Sequence, residues 1–149
     1  MAESGWFIHE IDSSNHITPY EFAEGQNHPL ALYSFPNYPD GLLRTSVREL
    51  SLYLMAIMNG GKYSKARILE KSTLKEMLQV QVEMDDGQGL CWHKIKFEGL
   101  WGHAGGDPGV ATHMYFNPRT RTGIITFQNN HNGDLFSVVR KLYAVADNL

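Results

Sequence analysis

Four glycines and one proline fall within the nine residues Trp101-Gly102-His103-Ala104-Gly105-Gly106-Asp107-Pro108-Gly109. Glycine at that density costs backbone entropy. It is expected where the chain must take unusual dihedrals or let another group approach its backbone closely. Runs that alternate like strands stand on either side, so this stretch is read as a place where something docks.

The period-two signal begins at Gln88, where Leu90, Trp92 and Lys94 alternate with Cys91, His93 and Ile95. Gly109 to Asn117 and Gly123 to Asn129 read as two further strands. The segment Asn117-Pro118-Arg119-Thr120-Arg121-Thr122 joins them, and its Asn-Pro start favours a turn. A connection this short makes the pair antiparallel. From Asp134 to Asn148 the period changes to that of an amphipathic helix, with Leu135, Val138, Val139, Leu142 and Val145 on one face suited to cover the sheet.

Upstream, Thr45 to Met58 gives the clearest helix. Ser46 and Glu49 have capping-box spacing, Val47, Leu50, Leu54, Ile57 and Met58 recur on one face, and Asn59-Gly60-Gly61 supplies the stop. A shorter helix is expected from about Lys71 to Gln79 with Leu74, Met77 and Leu78 inward, and Asp85-Asp86-Gly87 breaks the chain after it. Met1 to Arg44 shows neither period and reads as a long irregular segment, with a short strand at Trp6 to Ile11. The expected class is α+β: an antiparallel sheet of about three strands, a C-terminal helix packed on it, and an irregular then helical N-terminal part. Residues 1–149 are read as a single partial domain, divided at 44 and 87.

Composition narrows the partners. Thirteen Lys and Arg against 16 Asp and Glu leave a formal charge of -3, which offers no basic footprint for nucleic acid. No apolar run approaches membrane-spanning length, and the residues after Met1 lack the order of a signal peptide, so no membrane segment is expected and the compartment stays open. Cys91 stands alone and is read as a half-buried strand residue. His9, His16, His28, His93, His103, His113 and His131 are scattered without metal-ligand spacing, so no metal and no cofactor are expected. His93 and His113 could face each other across a sheet but are read as ordinary strand residues. Asn129-Asn130-His131-Asn132-Gly133 is polar enough to bind a ligand and is read more simply as a strand-to-helix turn.

His103-Ala104-Gly105, preceded by Trp101-Gly102 and followed by Gly106-Asp107-Pro108-Gly109, resembles the third motif of the serine β-lactamase-like hydrolases. That broad family covers class C β-lactamases, penicillin-binding proteins, D-aminopeptidases and esterases. The motif is usually Lys-Thr-Gly, and His-x-Gly in many esterase-like and peptidase-like members. Tyr38-Pro39-Asp40-Gly41-Leu42-Leu43-Arg44-Thr45-Ser46 and Asn59-Gly60-Gly61 are similar to the family's C-terminal half in order and approximate spacing. Gly5 to Asp12 and Thr18 to Tyr20 resemble a passage of its helical catalytic domain that lies after the nucleophile.

The resemblance implies acyl transfer on a β-lactam, ester or D-amino-acid peptide through an activated serine. His103 takes the place of the motif lysine, there to hydrogen-bond a substrate carboxylate or carbonyl or to hold a tyrosine of the second motif. The other reading of His103 is a polar strand-end residue. Ala104 and Gly105 leave room for substrate along the strand, and the Gly106 N–H matches half of the oxyanion hole. His103, Ala104, Gly105 and Gly106 are thus the candidate substrate-binding residues, with His103 and Gly106 the catalytic ones. The nucleophile is not found among these residues. Ser72-Thr73-Leu74-Lys75 spells S-x-x-K, but it follows Ile68-Leu69 on what should be a surface helix, and is read as a chance match.

The resemblance also implies that the Gly123–Asn129 strand pairs with an N-terminal strand not present here. Its edge should then be open to the rest of a larger hydrolase or to a second copy of this chain. The expected function is therefore a C-terminal fragment that is inactive without its S-x-x-K part. The alternative is a non-catalytic binding or assembly module on the same scaffold.

Overall fold

The computed structural model describes residues 1–36, 38–82, 84, 87–95 and 99–146. Its elements in chain order are β1 (Tyr20–Ala23), β2 (Gln26–Pro29), α1 (Val47–Met58), β3 (Lys62–Tyr63), β4 (Ala66–Arg67), α2 (Lys71–Met77), β5 (His93–Ile95), β6 (Leu100–Asp107), β7 (Val110–Phe116), β8 (Gly123–Gln128) and α3 (Leu135–Ala146). Strands β5 to β8 form one antiparallel sheet in sequential order, and β1–β2 and β3–β4 are separate hairpins.

Alternation along each central strand divides the core into two layers. Trp101 and Phe116 join Leu54 and Ile57 of α1, Leu74 of α2 and Trp92 on one face. Their neighbours Leu100 and Tyr115 join Ile124 and Val139 of α3 on the other. A helical layer therefore covers each side of the sheet, with the first layer stiffened by the edge-on contact of Trp92 with Phe116. Phe116, Ile57, Leu100 and Val139 are fully buried, each contributing about 1.5–3 kcal/mol by removal from water.

The α1 cap forms in half. Ser46 Oγ accepts from the Glu49 N–H at 3.1 Å, but the Glu49 carboxylate turns to the N-terminal segment instead of the cap. It accepts from the Ala2 and Glu3 amides at 2.7 and 3.1 Å and from the Ser4 hydroxyl. Arg44 fastens the same segment from its other end, donating to the carbonyls of Trp6 and Tyr33 while its backbone pairs with Gly5. An irregular stretch can hold one conformation when buried or charged groups satisfy its backbone in this way.

Several expectations are corrected. The sheet has four strands, not about three. Leu90 to Trp92 do not extend β5: Cys91 is exposed with φ at 58°, so the chain turns there before His93, and the half-buried strand reading of Cys91 fails. Trp6 to Ile11 is not a strand; short 3-10 turns at Ile8–Glu10 and Ser13–Asn15 replace it. Two hairpins were unforeseen, and in the first Glu24 and Gly25 both take positive φ, the requirement of the tight turn whose twist matches its strands. On α3, Leu135 and Val139 face the sheet with Phe136 and Tyr143, while Val138, Leu142 and Val145 are exposed, so the five apolar residues do not share one covered face. The expected break at Asp85-Asp86, and the helix's expected end at Asn148, lie outside the described residues.

Candidate functional site

The whole glycine-rich stretch is strand, not loop: β6 runs through His103, Ala104, Gly105 and Gly106 to Asp107, then Pro108-Gly109 turns it into β7. Gly109 has φ at 75°, which a residue without Cβ adopts freely. Gly102 is required by packing, since the ring of Tyr115 lies where its Cβ would stand.

Pairing differs along the two halves of β6. From Leu100 to Gly102 it lies between β5 and β7, because Ile95, Lys94 and His93 pair with Leu100, Trp101 and Gly102. Beyond Gly102, β5 has ended, and no strand among the described residues pairs with the outer side of His103–Asp107. Lys94 N–H donates to the Gly87 carbonyl at 2.7 Å and so points away from β6, which makes His93 and Ile95 the residues that bond Gly102 and Leu100. By the same alternation, Ala104 and Gly106 direct their backbone N–H and C=O to the open edge. The turn at the far end agrees: the Asp107–Val110 pair closes a two-residue hairpin loop, so Asp107, Gly105 and His103 turn inward to β7.

Side chains follow the complementary rule. His103 lies on the α1 face opposite Met114, exposed beyond the cover of the helices. Gly105 shares that face, where a Cβ would come 2.7 Å from Thr112 Oγ1. Ala104 and Gly106 look to the α3 face. There a cavity of about 400 Å³ is lined by Ala104, Gly106, His113, His131 and Phe136 among others. A second, of about 410 Å³, begins at Gly106 and Asp107 and extends to Glu21, Phe22, Asn130 and Asn132. Neither includes His103. The four candidate residues are thus together, but His103 and Gly106 address opposite faces and meet only along the edge.

His93 and His113 do not face each other, because β6 separates them: His93 pairs with Gly102, and His113 with Ala104. His113 packs against the rings of Tyr115 and Phe136 with a buried Nδ1 that has no partner, and burial holds its pKa below the ordinary histidine value. Ser72 and Lys75 are both exposed on α2 and line neither cavity. Among the described residues no three His, Cys, Asp or Glu side chains converge as metal ligands, and no helix is long and apolar enough to cross a membrane.

The β1–β2 hairpin is the part of this region that sequence reasoning missed. Tyr20 N–H donates to the Asn129 carbonyl at 2.9 Å, Asn129 Nδ2 to the Thr18 carbonyl at 3.0 Å, and Asn130 Nδ2 to Asn27 Oδ1 at 2.8 Å. These bonds hold the hairpin against the loop before α3, beside the end of β6. The signal was Glu24-Gly25, a weaker form of the Asn-Gly turn.

No protein-family model matches the sequence, and no curated protein matches it. Among solved structures, the chain is similar to a penicillin-binding protein from Bacillus halodurans, with a TM-score of 0.69 at 21% identity. The likeness covers 95% of this chain and 45% of that one, so the chain spans less than half the length of the protein it matches. The fold is therefore the mixed α/β fold of part of a penicillin-binding protein.

Proposed function

We propose that this chain is the C-terminal part of a β-lactamase-like serine hydrolase, in which β6 is the strand that substrate lies against. The observation that carries the reading is the open edge of β6, where Ala104 and Gly106 turn their backbone groups outward with no strand opposite. A carbonyl at that edge meets the Gly106 N–H, a donor fixed in advance where negative charge develops during acyl transfer. Ala104 and Gly105 present almost no side chain, which lets an extended ligand lie close. His103, two residues inward from Gly105 on the α1 face, is the group for a substrate carboxylate or for a tyrosine supplied by another segment. Substrates of this reading are β-lactams, esters or D-amino-acid peptides, and the serine nucleophile with its lysine comes from a part of the protein outside these residues. The likeness to a penicillin-binding protein supports the scaffold, and the His-x-Gly spacing supports the site.

The test is turnover of a chromogenic β-lactam and a nitrophenyl ester by the chain alone, then with an added segment carrying S-x-x-K and Tyr-x-Asn. Without nucleophile and base the covalent route is closed, so the expected result is no turnover alone and turnover on complementation. Activity of the chain alone that disappears in Ser72→Ala would return the nucleophile to α2 and overturn the assignment.

A further inference from the structure

Where β6 ends, the chemistry of the surface changes from backbone to acceptor oxygen. The 410 Å³ cavity that starts at Gly106 is bounded by the carboxylates of Asp107 and Glu21, the ring of Phe22 and the side chains of Asn130 and Asn132, and none of its lining residues is Lys or Arg. The amide NH₂ groups of those two asparagines are already committed: Asn130 Nδ2 donates to Asn27 Oδ1 at 2.8 Å, and Asn132 Nδ2 to the Phe22 carbonyl at 3.3 Å. What the loop has left for a ligand is acceptor capacity. The carboxylates offer nothing else. Phe22 is 49% exposed and presents a ring face beside them.

We infer that this cavity takes the ammonium group of a ligand whose carbonyl lies against the Gly106 N–H, so that the proposed hydrolase acts on substrates with a free amine close to the reacting carbonyl. The inference rests on the reading of Gly106 given above. An ammonium is three donors with no acceptor, the complement of two carboxylates and amide oxygens, and an aromatic face adds attraction for a cation. Asp107 follows Gly106 directly, so charge and carbonyl donor are one residue apart. Tyr33 does not neutralise Asp107: its hydroxyl donates to the Pro108 carbonyl at 3.0 Å, and its pKa is raised by burial and then by the Asp107 charge. An anionic group is disfavoured at this end by the same carboxylates. A zwitterionic ligand would therefore lie along β6 with its ammonium at Asp107 and its carboxylate towards His103.

The test uses the 149-residue chain labelled with ¹⁵N, titrated with alaninamide, N-acetylalaninamide and propionamide below the ~7.8 pKa of an α-amine. Expected are saturable shifts at the Gly106, Asp107, Asn130 and Asn132 amides. Alaninamide should bind about fivefold or more tighter than either neutral ligand, and Asp107→Asn and Glu21→Gln should each remove about a fivefold share. Equal affinity for charged and neutral ligands, with Gly106 shifting for all three, would overturn the ammonium subsite while leaving the carbonyl reading of Gly106 standing. Shifts at Asp107, Asn130 and Asn132 with none at Ala104 or Gly106 would do the reverse: the ammonium site stands and the carbonyl reading falls. No saturable shift with any ligand would overturn both.

Discussion

His131 lies directly over Gly106: a Cβ built at Gly106 would come 2.8 Å from His131 Cε1 and 3.3 Å from its Nδ1. The loop between β8 and α3 thus rests on the strand whose outer amide carries the proposed chemistry, and His131 also approaches the Val110 carbonyl at 3.3 Å. Gly106→Ala is expected to displace the imidazole and to cost about 1–3 kcal/mol by overpacking. If the contact is the cause, the loss shrinks sharply in a His131→Ala background, which a double-mutant cycle by urea unfolding measures. Equal losses in both backgrounds would place the strain elsewhere.

The turn between β7 and β8 is held by one buried amide. Asn117 is 4% exposed; its Oδ1 accepts from the Arg119 amide at 2.9 Å, and its Nδ2 donates to the Tyr143 hydroxyl at 2.8 Å, which ties the turn to α3. Tyr143→Phe leaves that amide hydrogen without its acceptor and is expected to cost about 1–3 kcal/mol, read as a lower urea midpoint. Asn117→Ala should cost more, because the turn amides lose their acceptor as well. A Tyr143→Phe midpoint equal to that of the parent would mean that water replaces the phenol.

These two contacts mark the limit of what the sequence disclosed. Period and punctuation are local signals, so α1, β7, β8 and the Asn117 turn were legible within a residue or two. The two-faced core followed from the alternation of Leu100 with Trp101 and of Tyr115 with Phe116. Hairpins built from polar residues carry little period-two contrast, and β1–β2 was missed for that reason, together with the cavity wall that it supplies. Which face of α3 is covered depends on the direction from which the sheet approaches, and no helical period encodes that. At the site, His103-Ala104-Gly105-Gly106 was legible as a unit through its glycines. The premature end of β5 that opens its edge was not, because it depends on the positive φ of Cys91, a residue type with no preference for that conformation.

Acid should weaken the fold in two separate windows. Burial depresses the His113 pKa from its ordinary 6.5, so below that pH the unfolded chain binds a proton that the folded chain resists. Stability contributed by the neutral imidazole is complete above pH 6.5 and is lost as pH falls through the lower, folded value. The Ser4 hydroxyl and the Ala2 and Glu3 amides lower the Glu49 pKa from 4.5, which adds a second loss of the same sign beginning only below that pH. His113→Phe keeps the ring against Tyr115 and Phe136 but cannot titrate, so it should flatten the upper slope and leave the lower one. Midpoints of urea unfolding across pH measure both. An unchanged upper slope in His113→Phe would assign it to another group.

The outer side of β8 joins two features that soluble proteins seldom leave uncovered. No strand among the described residues pairs with it, and Ile124, Ile125, Thr126 and Phe127 give it neither charge nor proline to discourage pairing. Against the same strand packs α3, whose Val138, Leu142 and Val145 are 45%, 47% and 66% exposed at helical spacing. Edge and stripe together form an apolar surface that should drive association at micromolar concentration, either with a further segment of the protein or between copies. Phe127→Lys places a charge on the strand edge and Leu142→Lys interrupts the stripe. Each touches a side chain already more than a third exposed, so stability should change by no more than about 0.5 kcal/mol while association falls. Sedimentation velocity over a concentration series separates the cases. A parent chain that stays monomeric throughout would remove the surface from consideration, and association that survives both charges would locate it on another face.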